Sequence, residues 1–254
     1  MIQTQSSAQT AEQPDAIPFP RVAAVQVCAY VVLVAVSACS PLRDLQGVVH
    51  VSYTTLPVVV AMALFTWCSS LRDGLAGRVI AAVVGALSLA CAVGQSLGVV
   101  FFPPRVTGAE GAEAVGFYPQ ETWAAGVVGL LVALVLVSFA RQMAREDRSH
   151  LIRSLSHGVT GGVAMIAAPG WCFLPDLFAA CRAADDGPAP TAALVSCAVI
   201  VVLAVLLAAA SYLWARDANP VEGAAHPWLG IGLMPVMFLG PVVAVAGLIT
   251  TLLA

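Results

Sequence analysis

Long apolar runs alternate along this chain with short polar breaks that carry proline, glycine and charge. After a polar opening (residues 1–20, MIQTQSSAQTAEQPDAIPFP), seven runs are long enough to cross a bilayer: Val22–Ser40, Val48–Cys68, Val79–Phe102, Trp123–Ala140, Gly158–Cys181, Thr191–Trp214 and Ile231–Leu253. The yardstick is physical, since a helix needs roughly 20 apolar residues to span a hydrocarbon core about 30 Å thick. Pro41, the Pro103-Pro104 pair, Pro188, Pro190, Pro220 and Pro227 all fall outside the runs and read as punctuation. The pattern predicts an all-α fold, a polytopic bundle of seven transmembrane helices over residues 21–254. Residues 1–20 read as a disordered tail.

Composition agrees. Of 254 residues, 60% are hydrophobic and 10% charged, with a mean hydropathy of +0.92. A soluble domain carries about 25% charged residues, so a water-facing globule is excluded. The net charge of -3 offers nothing to a phosphate backbone, and no nucleic-acid partner is expected.

All 11 basic residues are arginine. Without lysine there is no Schiff base, which excludes a retinal-binding seven-helix pump. Arginine placement also orients the chain. Arg21, Arg72, Arg78, Arg141, Arg145, Arg148, Arg153 and Arg216 share one side of a seven-span topology. Arg43, Arg105 and Arg182 share the other. The positive-inside rule then puts the N-terminus in the cytoplasm of a cell-membrane protein. Phe101, Phe102, Trp123, Trp214 and Trp228 mark the interfaces as an aromatic belt.

Two spans are broken by proline and glycine. The fifth, HGVTGGVAMIAAPGWCFLPDLFAAC, holds Pro169 near its middle, Pro175 six residues on, and Asp176, the single carboxylate within the seven runs. The seventh, PWLGIGLMPVMFLGPVVAVAGLITTLLA, holds Pro235 and Pro241 among several glycines. Interior prolines remove helix hydrogen bonds, and a break in hydrocarbon is tolerated where neighbouring helices or a cavity satisfy the freed carbonyls. Discontinuous helices form mid-membrane substrate sites in transporters. The candidate substrate-binding set is therefore Pro169, Trp171, Asp176, Met234, Pro235 and Met237. The competing reading is a kinked structural helix with close packing through small residues.

In the fourth loop, Asp147, His150 and His157 fall on one helical face, and with His226 they make a conceivable metal set. The nearby arginines favour instead an amphipathic helix on anionic headgroups. The seven cysteines form no CxxC pair. Val36-Ser37-Ala38-Cys39 has the form of a lipobox, and Cys39 and Cys181 both sit at outer span ends, where a disulfide between them is conceivable. Glycine pairs at Gly94/Gly98 and Gly158/Gly162 suit tight helix association.

No nucleotide-binding, serine-hydrolase or zinc-protease motif is present, and no family motif maps onto the chain. No catalytic residue, metal or cofactor is assigned. The expected function is a permease-like transport component for a neutral or apolar solute, with the lipid bilayer and other membrane subunits or a second copy as partners. The alternatives are an accessory or scaffold subunit of a larger complex, including the permease part of an ATP-driven exporter, and a lipid-modifying membrane enzyme.

Overall fold

The computed structural model describes residues 18–40, 52–68, 74–94, 118–144, 151–183, 187–217 and 226–253. Every regular element among them is a helix. In chain order these are α1 (Phe19–Cys39), α2 (Thr55–Cys68), α3 (Gly74–Val93), α4 (Pro119–Met143), α5 (Leu151–Ala167), a 3-10 segment (Ala168–Phe173), α6 (Leu174–Arg182), α7 (Pro188–Asp217), α8 (Pro227–Phe238) and α9 (Gly240–Leu253).

Six of the predicted spans are long and apolar enough to cross a membrane. They are Phe19–Cys39, Leu75–Val93, Pro119–Met143, Ser156–Arg182, Pro188–Arg216 and Pro227–Leu253. The remaining run, predicted over Val48–Cys68, is a 14-residue helix from Thr55, about 21 Å long at helical rise. Residues 48–51 of that run lie outside the described residues.

Helix starts differ from the sequence reading in one systematic way. Prolines read as loop punctuation open helices instead. Pro188 and Pro190 lie in the first turn of α7, and Pro227 is the first residue of α8. Pro119 begins α4 behind the extended Tyr118, and Pro20 lies in the first turn of α1. The reason is that the first helical N–H groups have no intrahelical acceptor, so a residue lacking one is tolerated there. The fifth span also starts earlier than predicted. Its helix runs from Leu151, which joins the end of the predicted loop helix to the membrane run.

The spans are not equivalent in depth. The two broken ones, α5 to α6 and α8 to α9, are 72% and 50% buried in the protein over their most apolar windows, against 33% or less for the other four. They form the core. Helices α3 and α4 pack on α5, α1 and α2 pack on α8, and α7 lies along α6 and α9. Small residues set the close approaches. A methyl added at Gly162 would stand 2.6 Å from the side chain of Leu134, and one at Gly126 would stand 2.7 Å from the Cys91 sulfur. Large apolar side chains such as Val31, Val128, Leu136, Leu194, Val205 and Leu206 point outward. Such faces suit lipid and do not suit water.

Candidate functional site at the crossing of two broken helices

The break in the fifth span lies where the sequence places it. α5 ends at Ala167, Pro169 and Gly170 sit in the 3-10 segment, and α6 begins at Leu174 with Pro175 in its first turn. The break in the seventh span falls beside Pro241 and not at Pro235. Pro235 is carried inside α8, and the helix ends at Phe238, with Leu239 as its cap just before Gly240 and Pro241. Pro241 falls in the first turn of α9, where its missing N–H matters least. Pro235 alone, with its neighbours packed around it, does not stop the helix.

The two breaks meet. A methyl on Gly170 would collide with the Gly240 backbone, and one on Gly240 would collide with the Ala167 carbonyl. Backbone approaches backbone here, and only glycine leaves the room. The 3-10 segment from Ala168 to Phe173 is buried throughout.

Neighbouring side chains serve the carbonyls around the breaks. Ser88 Oγ, from α3, donates to Ile166 O at 2.7 Å, and accepts in turn from Trp123 Nε1, from α4, at 3.0 Å. Trp171 Nε1 donates to Val236 O at 2.7 Å and so joins one broken span to the other. In a medium without water this satisfaction is what lets a helix be interrupted.

Two apolar grooves flank the crossing. The first, about 440 Å³, lies between α1, α6 and α7 and is lined by Tyr30, Trp171, Leu177, Phe178, Cys197 and Ile200, among others. The Tyr30 and Trp171 rings are 6.0 Å apart. The Tyr30 hydroxyl is buried and has no hydrogen-bond partner among the described residues. One turn away, Gln26 Nε2 donates to Ser211 Oγ of α7 at 2.7 Å and ties α1 to α7 beside the groove. The second groove, about 820 Å³, lies between α1, α2 and α8 and is lined by residues such as Cys28, Val32, Pro57, Val60, Leu64 and Leu233.

The predicted site residues separate on this geometry. Trp171 lines the smaller groove. Pro169, Met234, Pro235 and Met237 are buried at or near the crossing and line neither groove. Asp176 sits in the first turn of α6, half-buried, and accepts from Gln120 Nε2 at 2.9 Å. A carboxylate at a helix N-terminus is favoured by the dipole there, which gives Asp176 a structural reason to exist. Tyr30, Gln26, Ser88 and Gln120 were not singled out from sequence. For Gln120 the signal was present, since Pro119 at a helix start draws the following glutamine into the first turn of α4.

The metal set read from the sequence lies only partly within the described residues. Asp147 and His150 lie outside the described residues. His157 belongs to α5, and His226 precedes α8 with a left-handed backbone at φ 52°. Among the described residues no group of three or more His, Cys, Asp or Glu side chains could hold a metal ion. Cys39 is the last residue of α1, exposed, and Cys181 faces Cys197 at 3.9 Å. Searches for a matching protein-family model, a similar curated protein and a similar solved structure each find none.

Proposed function

We propose that this protein is a multi-pass cell-membrane protein that crosses the bilayer seven times with its N-terminus in the cytoplasm, and that it acts as a permease-like transport component for a neutral or apolar solute. The single observation that carries the transport reading is the meeting of two interrupted spans beside an apolar groove, into whose lining Tyr30 brings a buried hydroxyl with no partner among the described residues. Ligand sites are commonly apolar clefts with a few polar groups that fix orientation. The wall of aromatic and aliphatic side chains selects for an uncharged guest, since an ion there would lose its hydration with nothing in exchange. Trp171 is the side chain that links guest and machinery, because it lines the groove and also holds Val236 of the second broken span. In this reading Pro169, Met234, Pro235 and Met237 shape the crossing, and Asp176 braces α6 against α4.

The test is flux through purified full-length protein in liposomes, measured with a panel of radiolabelled uncharged solutes. Saturable flux that falls at least tenfold in Trp171→Ala and several-fold in Tyr30→Phe is the expected result. Flux indistinguishable from protein-free vesicles across the panel would overturn the reading. Topology is checked separately by reporter fusions at the two ends, which an odd number of crossings places on opposite faces.

A second reading, an accessory subunit of a larger membrane complex, is favoured by the 820 Å³ groove. It is apolar, open on one side and large enough for helix side chains from a neighbour. Stoichiometric recovery of another polypeptide from solubilised membranes, lost on Val60→Trp or Val32→Trp in the groove wall, would select it.

A further inference from the structure

The two half-buried thiols Cys181 and Cys197 face one another at 3.9 Å, on α6 and α7, sixteen positions apart in the chain. Their depth follows from helix arithmetic. From Cys197 to Arg216 is nineteen residues of unbroken α7, or about 30 Å at helical rise, one hydrocarbon thickness. Arg216, with Trp214 beside it, fits one boundary of the hydrocarbon layer, which puts Cys197 toward the opposite boundary, between one and two turns inside Thr191, where the apolar run begins. Independently, Cys181 immediately precedes Arg182, an exposed cation whose guanidinium donates to Ala38 O at the end of α1 at 2.9 Å. A charged side chain at a helix end belongs at headgroup level. Two elements therefore place the half-buried sulfur pair near the same boundary.

We propose that Cys181 and Cys197 form a redox dithiol at the outer edge of the hydrocarbon layer, closed to an intramolecular disulfide by exchange with an extracytoplasmic disulfide oxidant. The side on which it lies rests on the N-terminus-inward topology proposed above. In the reaction one thiolate attacks the oxidant's disulfide and forms a mixed disulfide. The second thiolate then displaces the oxidant's sulfur. The protein loses two protons and two electrons as its sulfur–sulfur bond forms, and the oxidant's disulfide is reduced to a dithiol. The sulfurs need to approach by about 2 Å to reach bonding distance. The closed bond pins α6, the outer leg of the broken fifth span, to α7. Cys197 also lines the 440 Å³ groove, so the bond forms at its wall.

The test counts thiols. Full-length protein in native membranes is acid-quenched, denatured and tagged with a maleimide polymer, with and without prior reduction. The chain holds seven cysteines. The expected result is two more tags after reduction, a difference that vanishes in Cys181→Ser and in Cys197→Ser and persists in Cys39→Ser. Purified reduced protein treated with diamide should lose the same two tags. Seven tags with and without reduction, unchanged by diamide, would overturn the proposal. Seven tags in membranes but two lost to diamide would uphold the thiol contact and overturn its outward placement, which locates the failure in the topology. A pair that vanishes in Cys39→Ser would replace Cys197 by Cys39 and overturn the assignment.

Discussion

Helix α7 runs for 30 residues without a break, and only 6% of its apolar window is buried in the protein. The fifth span, of similar length, is interrupted by a 3-10 segment and is 72% buried. The difference follows from who satisfies the backbone. An unbroken helix closes its own hydrogen bonds and can face lipid along its whole length. An interrupted one needs donors from elsewhere, and those donors exist only in the protein interior. Ser88 and Trp171 supply them here, and Trp123 donates in turn to the Ser88 hydroxyl. Burial of the broken spans is thus a requirement of their sequence, and α7 occupies the periphery because nothing in it needs help.

The sharpest way to break this contrast is to fill the crossing. Gly170→Val or Gly240→Val sets a side chain against backbone that no rotamer change can move. Overpacking a core costs typically 1–3 kcal/mol where side chains can yield, so a backbone collision should exceed about 3 kcal/mol. The expected outcome is loss of folded protein, seen as aggregation in size-exclusion chromatography after detergent extraction. Normal yield and an unchanged melting temperature would show that the two breaks do not touch.

The contrast was partly written in the sequence. Proline and glycine inside apolar runs announced two interrupted spans, and Pro169 fell in the interruption itself. Pro235 did not, because one missing N–H inside a packed helix is tolerated, whereas Gly240 lies where two backbones meet. That meeting is tertiary, between residues seventy positions apart, and no one-dimensional pattern reports it. The groove was less legible still. Tyr30 and Gln26 look like ordinary members of an apolar run until α7 is placed beside them. Trp171 stands in the candidate set read from the sequence, but its bond to Val236 O across the crossing is visible only in three dimensions.

Next in size is Ser88→Ala. The hydroxyl serves two partners, donating to Ile166 O and accepting from Trp123 Nε1, and its removal leaves a buried carbonyl and a buried indole N–H without this bridge. An unsatisfied buried group costs about 1–3 kcal/mol. A loss of about 2 kcal/mol is expected in the SDS-unfolding equilibrium. Ser88→Thr, which keeps the hydroxyl, should recover part of it. No change in either variant would mean that the carbonyls near the break find other donors.

Trp171→Phe should cost less. It removes the bond to Val236 O, but that carbonyl also accepts from the Leu239 N–H at 3.3 Å and is not left bare. Interhelical hydrogen bonds in membranes average about 0.6 kcal/mol, and a destabilisation of that order is expected by the same unfolding measurement. The flux effect proposed for Trp171→Ala is far larger, so a Phe variant with normal stability and reduced flux would separate the residue's structural part from its contact with solute.

The smallest effect tests the other half of the comparison. Leu206 lies on the exposed face of α7 and touches lipid in the proposed arrangement. Leu206→Ala removes apolar surface that is solvated by acyl chains in both the folded bundle and the dissociated helices, so the hydrophobic term nearly cancels. A change within about 0.5 kcal/mol is expected, as for other substitutions away from packed features. The same truncation at Leu177, buried on α6 among the core side chains, leaves a cavity and should cost about 2–5 kcal/mol. If the two leucines respond alike, α7 is not a lipid-facing strut. A large loss at Leu206 would mean that a partner covers this face, which would turn the comparison from core against lipid into core against interface.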